Sequence, residues 1–314
     1  GFACCGEEID TVTGLPKPRL LLQQGTIAPT SEACLRSASA RFRVIKETAT
    51  VTALGRVSIV EVTEPGLLVL AGPNTRRLLE RLLEDFSELG ITRVFVDGSL
   101  NRIAAMSAAD SVVFTTGASR SPEIGFLAEE ARSIIRLFGA QKASHAGMPE
   151  RVSVLGNDGD IRASLSAASL YDRQDAEDAA RLIDEHASSL VIPKMVSLSA
   201  LEYLAQRIPD ATHAKGCTVI LHDPTTLLLA GEPLSTWRVM ETAGERGVSF
   251  AYHHPIAPRA MTVNPFYPLK TENAFVPAYI DKNHLLHAVR ESAAVPVFNI
   301  REEGAAAHLY ELLL

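Results

Sequence analysis

Cysteine is scarce in this chain: Cys4, Cys5, Cys34 and Cys217 are the only four in 314 residues. They fit neither a disulfide framework nor a CxxC metal pattern, and adjacent cysteines bridge poorly because a vicinal bond strains the peptide. The expected compartment is a reducing cytoplasm, with Cys217 a small buried hydrophobe at the start of an apolar strand. No apolar run approaches the ~18–20 residues that span a bilayer, and no signal peptide opens the sequence. Lys/Arg clusters are missing too. With a formal charge of −7, that argues against a nucleic-acid backbone or an anionic membrane as main partner, since both want a basic face. GxxxxGK[ST] is absent, so the chain as it stands has no backbone cradle and no lysine for nucleotide phosphates. Ser119, Ser121 and Ser164 stand outside any GxSxG elbow, and no HExxH occurs. Gly156-Asn157-Asp158-Gly159-Asp160 has neither the spacing nor the terminal Glu of a calcium loop and reads as a hairpin turn or exposed loop. Short repeats and low-complexity tracts are lacking.

What is present suits two hydrophobic cores. Hydrophobic residues make up 46% and charged residues 21%, an ordinary globular balance over a length that favours two domains. Strands are predicted at Arg19–Gln23, Phe42–Glu47, Gly55–Val62, Leu67–Ala71, Val94–Asp97 and Ser111–Ala118. Helices are predicted over 31–39 with Ser31 as N-cap, from Gly72-Pro73-Asn74 to Gly90, where Leu78, Leu79, Leu82, Leu83 and Phe86 keep helical spacing, and over Pro122–Phe138. The second half repeats this alternation. Its strands are expected at Val152–Leu155, Leu190–Pro193, Thr218–Leu221, Val248–Tyr252, Met261–Val263 and Val295–Asn299. Helices at Asp175–His186, Ser199–Ile208, Ser235–Gly247, Asn283–Ser292 and from Glu302 separate or follow them. Strands alternating with helices predict two α/β lobes with mainly parallel sheets. The expected domains are 1–142 and 143–314, with a linker over 139–149.

Two groups of residues could carry chemistry. The run Val94-Phe95-Val96-Asp97-Gly98-Ser99-Leu100-Asn101-Arg102 puts an acid and a glycine turn at the end of a short apolar strand, and Thr116-Gly117 ends the next one. Ligands of parallel sheets sit beyond the carboxyl ends of the strands. Asp97, Gly98, Asn101, Arg102, Thr116 and Gly117 are therefore candidate cofactor-binding residues, with a turn or N-cap acid as the plainer reading of Asp97. The second group is Leu221-His222-Asp223-Pro224 and Tyr252-His253-His254-Pro255, which both end predicted strands. His222, Asp223, His253 and His254 converging on one rim would suit Zn²⁺ or non-haem iron, although polar turn residues are commoner at such places. Asn264-Pro265 reads as a turn. A metal-dependent enzyme and a two-lobed binder of a small metabolite are both compatible with these groups.

Several segments taken in order resemble a known family. Gly6-Glu7-Glu8-Ile9-Asp10, Thr13-Gly14-Leu15-Pro16-Lys17-Pro18 and Gly25-Thr26 look like the front of a subunit of the lysine 5,6-aminomutase reactivase. Leu70-Ala71-Gly72-Pro73, Val96 to Arg102, Thr115-Thr116-Gly117-Ala118, Val263-Asn264-Pro265 and Val295-Pro296-Val297-Phe298-Asn299 continue the likeness, of which the Asp-Gly-x-Leu-x-Arg block is the most distinctive. The resemblance implies an accessory protein that helps exchange damaged cobalamin from an adenosylcobalamin-dependent aminomutase, with nucleotide turnover as the driving step and a second reactivase subunit as a further partner. It also implies that the first lobe is a phosphate-loop NTPase-like domain without its Walker A loop, Asp97 being the acid on the metal side of the nucleotide. Mg-nucleotide binding is then expected only if a phosphate loop lies upstream of Gly1. The opening Gly-Phe-Ala-Cys-Cys-Gly, with no Met and no strand before Gly6, fits a missing upstream segment. Cys4-Cys5 and His222-Asp223 depart from the family's pattern.

Overall fold

The structure, a computed structural model, describes residues 19–73, 75–96, 106–144, 147–212, 216–271 and 275–313. The chain separates into two compact units, Gly1–Ala109 and Asp110–Leu314, each built of strands and helices, so the expected α/β class holds. Among the described residues no helix is long and apolar enough to cross a membrane.

In the first unit, β1 (Leu20–Leu22) pairs with β5 (Gly66–Leu68), and β4 (Gly55–Glu64) lies between β2 (Ile27–Ser31) and β3 (Arg41–Thr52). Every one of these pairings is antiparallel. The mainly parallel sheet expected here, and with it the likeness to a phosphate-loop domain, is therefore not seen among the described residues. The reason is local: β3 and β4 are consecutive runs joined by the tight turn Ala53-Leu54, where Gly55 takes φ 97°, and a short loop can only return the chain antiparallel. As the central strand, β4 buries Val57, Ile59, Val60 and Val62.

Two helices complete the unit. The short α1 (Glu32–Arg36) follows Ser31 as expected, but the Ser31 side chain makes no capping hydrogen bond. Helix α2 (Arg76–Glu88) starts at Thr75, whose hydroxyl accepts from Leu78 N, and stops just before Gly90 at φ 74°. Its Leu82 and Phe86 pack on Ile59, with Ile45, Ile91 and Val94 alongside. Val94–Val96 form no strand and Phe95 is 58% exposed. The buried strand expected to lead into Asp97 is thus corrected to a surface segment that lends only Val94 to the core.

The second unit holds a six-stranded sheet in the order β7 (Gln141–Lys142), β12 (Val248–Tyr252), β11 (Cys217–Leu221), β10 (Ser189–Ile192), β8 (Ser153–Leu155) and β9 (Ile161–Ser164). The first four strands run parallel, and β8 and β9 add antiparallel pairings. Strands β10 and β11 are almost continuous buried apolar runs, as parallel strands covered on both faces must be. Cys217 opens β11 at 3% exposure, and burial pushes its thiol up to about 11. A second, three-stranded parallel sheet is ordered β16 (Val297–Asn299), β13 (Ala257–Asn264), β6 (Ser111–Gly117). An isolated hairpin of β14 (Phe266–Lys270) and β15 (Phe275–Tyr279) follows β13.

Helices α3 (Ile124–Phe138), α4 (Arg173–Ala180), α5 (Leu198–Ala211), α6 (Thr225–Ala230), α7 (Pro233–Glu245), α8 (Lys282–Ser292) and α9 (Ala305–Leu313) alternate with these strands. Leu127, Ala131 and Ile135 of α3 form one core with Met261 and Val263 of β13, Leu285 and Val289 of α8, and Val297. Hence β6 and α3, read from the sequence as the close of the first domain, belong by their packing to the second unit. The expected boundary at 142/143 falls inside that unit, and part of the stretch read as a linker is strand β7.

Tyr252, the largest wholly buried side chain, ends β12 and donates its hydroxyl hydrogen bond to Leu137 O near the end of α3. Burial and the nearby Asp223 charge hold its phenol well above the usual range. Tyr252→Phe strands that carbonyl without its donor. A loss of about 1–2 kcal/mol is expected, read from the midpoint of urea unfolding.

Candidate functional site

The histidine rim grows directly from sheet register. In the parallel pair β11–β12, Leu221 lies opposite Tyr252, so His222 and His253 are the first residues beyond their strands. The ladder continues past them: His253 N donates to Leu221 O at 2.9 Å and His254 N to His222 O at 2.8 Å. The His222 and His253 rings stand 6.3 Å apart, tilted by 57°. Lys142 ends β7, one strand further on.

Asp223 is the fixed point. It is 3% exposed, and its Oδ2 takes a hydrogen bond from His222 Nδ1 at 2.8 Å. Its Oδ1 accepts from Thr225 N at 2.8 Å and from Thr225 Oγ1 at 2.5 Å. Burial alone would raise the carboxyl pKa. The bonds from His222 and Thr225 outweigh it and hold the group below the usual carboxylate range. The ionised carboxylate sets the tautomer of His222, placing the proton on Nδ1. His253 is held below the usual histidine range by burial first, then by His222, Lys142 and His254.

The paired strand ends bring His222, Asp223, His253 and His254 to one rim. Both oxygens of Asp223 and Nδ1 of His222 are committed to internal bonds. Among the described residues no group of three or more His, Cys, Asp or Glu side chains is arranged to hold a metal ion. The arrangement orients the His222 imidazole on a buried carboxylate and fixes which ring nitrogen carries the proton.

Of the other candidates, Asp97, Gly98, Asn101 and Arg102 lie outside the described residues. Thr116 and Gly117 end β6 in the second unit. Gly117 faces Asn264 across the β6–β13 pair, and a Cβ built on it would meet Asn264 O at 2.1 Å. Ala118 N donates to that same carbonyl at 2.9 Å. Thr115 and Thr262 share a hydroxyl bond of 2.8 Å, while the buried Thr116 Oγ1 has no hydrogen-bond partner. Just beyond, Arg120 binds the buried Glu130 at 2.8 Å and Glu232 at 2.7 Å, tying the loop after β6 to α3 and to the start of α7.

Two asparagines line this edge: the sequence reads Asn264 as a turn residue that could also offer an amide to a ligand, and Asn299 only as the end of a strand. Asn264 ends β13 and accepts from Phe266 N through Oδ1 at 3.1 Å. Asn299 ends β16, accepts from Arg301 N at 3.1 Å and reaches Glu302 with its amide nitrogen at 3.3 Å. Both are Asx turns, and an Asn closing each of two predicted apolar strands was the available signal.

Fold and site together define a mixed α/β protein whose second unit carries two parallel sheets, one edged by histidines and a buried aspartate, the other by threonine, glycine and asparagines. Comparison of the chain with family models, with curated proteins and with solved structures finds no match.

Proposed function

We propose that this chain is an accessory, reactivase-like protein that acts on a cobalamin-dependent aminomutase. One observation carries the reading. Three segments of the resemblance, Thr115–Ala118, Val263–Pro265 and Val295–Asn299, are far apart in sequence yet make the carboxyl ends of neighbouring strands β6, β13 and β16. Parallel sheets present their ligands at that edge. Its side chains are hydroxyls and amides without acid–base function near pH 7, so it suits holding a polar group of a partner or ligand more than moving a proton. The nucleotide-linked part of the reading rests on Asp97 to Arg102 and on a phosphate loop upstream of Gly1.

The test is binding. Immobilised lysine 5,6-aminomutase, loaded with intact or damaged cobalamin, is expected to retain the chain at about 10 µM, an ordinary strength for a transient partner. The measurement is made with and without Mg-ATP. No retention in any of these states ends the reading.

A second reading, a small-metabolite site at the histidine rim, is favoured by the Asp223–His222 orientation at the ends of parallel strands. A thermal-shift screen with amino acids, nucleotides and cobalamins tests it. A hit must be lost in His222→Gln while the melting temperature without ligand stays near that of the native chain.

A further inference from the structure

The four parallel strands of the larger sheet all end on lysine or histidine. Lys142 closes β7, His253 and His254 follow β12, His222 follows β11, and Lys194 stands two residues past β10. Register aligns these ends: Lys142 lies opposite Tyr252, Tyr252 opposite Leu221, and Leu221 opposite Ile192. At about 4.8 Å per strand the row spans roughly 14 Å. Its members are far apart in sequence and make no basic run there, so only the fold assembles them.

Among the described residues the positive charge of this row is poorly offset. Asp223 is buried and gives its oxygens to His222 and Thr225. Besides burial, the groups that act on His253 are His222, Lys142 and His254, and none is an acid. Lys142 and Lys194 are exposed. Among the described residues neither is held in an ion pair, unlike Lys46, which Asp85 and Glu88 clamp. Prolines stiffen the row: Pro193, Pro224 and Pro255 each fix a backbone φ within three residues of a strand end. A stiff row holds a ligand at a smaller cost in lost freedom.

Ligands of parallel sheets sit at the carboxyl ends of the strands, and these ends suit an anion. The formal charge of −7 on the whole chain works against a polyanion, so the ligand is small. A carboxylate brings one charge and two oxygens, less than two lysines and neighbouring imidazoles can engage. A phosphoryl group brings a charge of about −1.5 to −2 and three acceptor oxygens, which lysine meets as a point charge. We propose that this row binds the phosphoryl group of a small metabolite, an inference that rests on the reading of the histidine rim as a metabolite site. Lys142 and His253 hold the phosphoryl oxygens, His222 stands oriented beside them on Asp223, and Lys194 adds charge from the far side.

Isothermal titration calorimetry of the full chain with inorganic phosphate, at pH 7 and constant ionic strength, reads the binding directly. A single site with Kd of about 1 mM is expected, with acetate at least about tenfold weaker. Lys142→Gln is expected to raise the phosphate Kd about fivefold and Lys194→Gln about threefold. Both should leave the melting temperature without phosphate unchanged, because the altered side chains are exposed. Lys270→Gln, in the β14–β15 hairpin of the other sheet, should leave the Kd unchanged. No binding up to about 20 mM phosphate overturns the proposal. So does a Kd indifferent to Lys142→Gln, or acetate bound as tightly as phosphate. A metabolite whose binding needs His222 but that phosphate does not displace would keep the metabolite site and overturn its phosphoryl assignment. The absence of any His222-dependent ligand ends both.

Discussion

Asp223→Ala is expected to destabilise the second unit by about 3 kcal/mol at pH 7, because it removes the shared acceptor of His222 Nδ1, Thr225 N and Thr225 Oγ1 from a buried place. For a unit of this size the melting temperature should fall by roughly 6–12 °C. The pH dependence carries a definite sign. Asp223 titrates below its ordinary value in the folded protein, near 4 in an unfolded chain. Its ionisation therefore stabilises the fold above about pH 4, and that contribution is lost as pH falls through the lower folded value. Urea unfolding of native and Asp223→Asn proteins at pH 7, 5 and about 3.5 should show a wide gap that narrows only in the most acidic sample. A gap constant across the series would mean that Asp223 is not held as an anion.

Gly117→Ala is expected to cost about 3 kcal/mol or more, the scale of a steric insertion that backbone must yield to. Its Cβ would lie 2.1 Å from Asn264 O, a backbone atom in the neighbouring strand. The carboxyl end of β6 must then part from β13, and with it the edge on which the proposed partner binding depends. The matched control is Gly125→Ala in α3. There a Cβ meets nothing within 4 Å, and alanine should stabilise by about 0.5–1 kcal/mol. Equal effects at the two glycines would refute the close-approach argument.

Particular residues explain what the sequence could and could not disclose. Strands β10, β11 and β12 were readable because Leu190–Ile192, Val219–Leu221 and Val248–Tyr252 are compact apolar runs between turns. That His222, Asp223, His253 and His254 close such runs was equally visible. That β11 and β12 are neighbours, so that the rings meet, is decided by packing. The Asp223–Thr225 bonds are local, but the burial that makes them consequential is not. The hairpin escaped because Pro268 and Pro277 argue against strands, and β7 escaped because Gln141-Lys142 has no apolar signature. Val94–Val96 differ in the other direction: these β-favouring residues pair with no strand among the described residues, and only Val94 packs into a core. The boundary moved from 142/143 to Ala109/Asp110 for a single reason. The partner of β6 is β13, and nothing local to residues 111–117 announces a strand so far ahead.

That distant pairing also sets an order of events during synthesis. Thr115 and Thr262, which share a hydroxyl bond, are 147 residues apart. At ribosomal rates of about 5–20 residues per second, β6 waits roughly 7 to 30 s for its neighbour to be made. Through that interval the nascent chain carries an unpaired Val-Val-Phe segment that can associate with other unfinished chains. All six strands of the larger sheet, ending at Tyr252, are made before β13, and the three-stranded sheet is complete only after Val297–Asn299 clears the exit tunnel. Chains released early, before β13, are therefore those a cell's chaperones would have to hold.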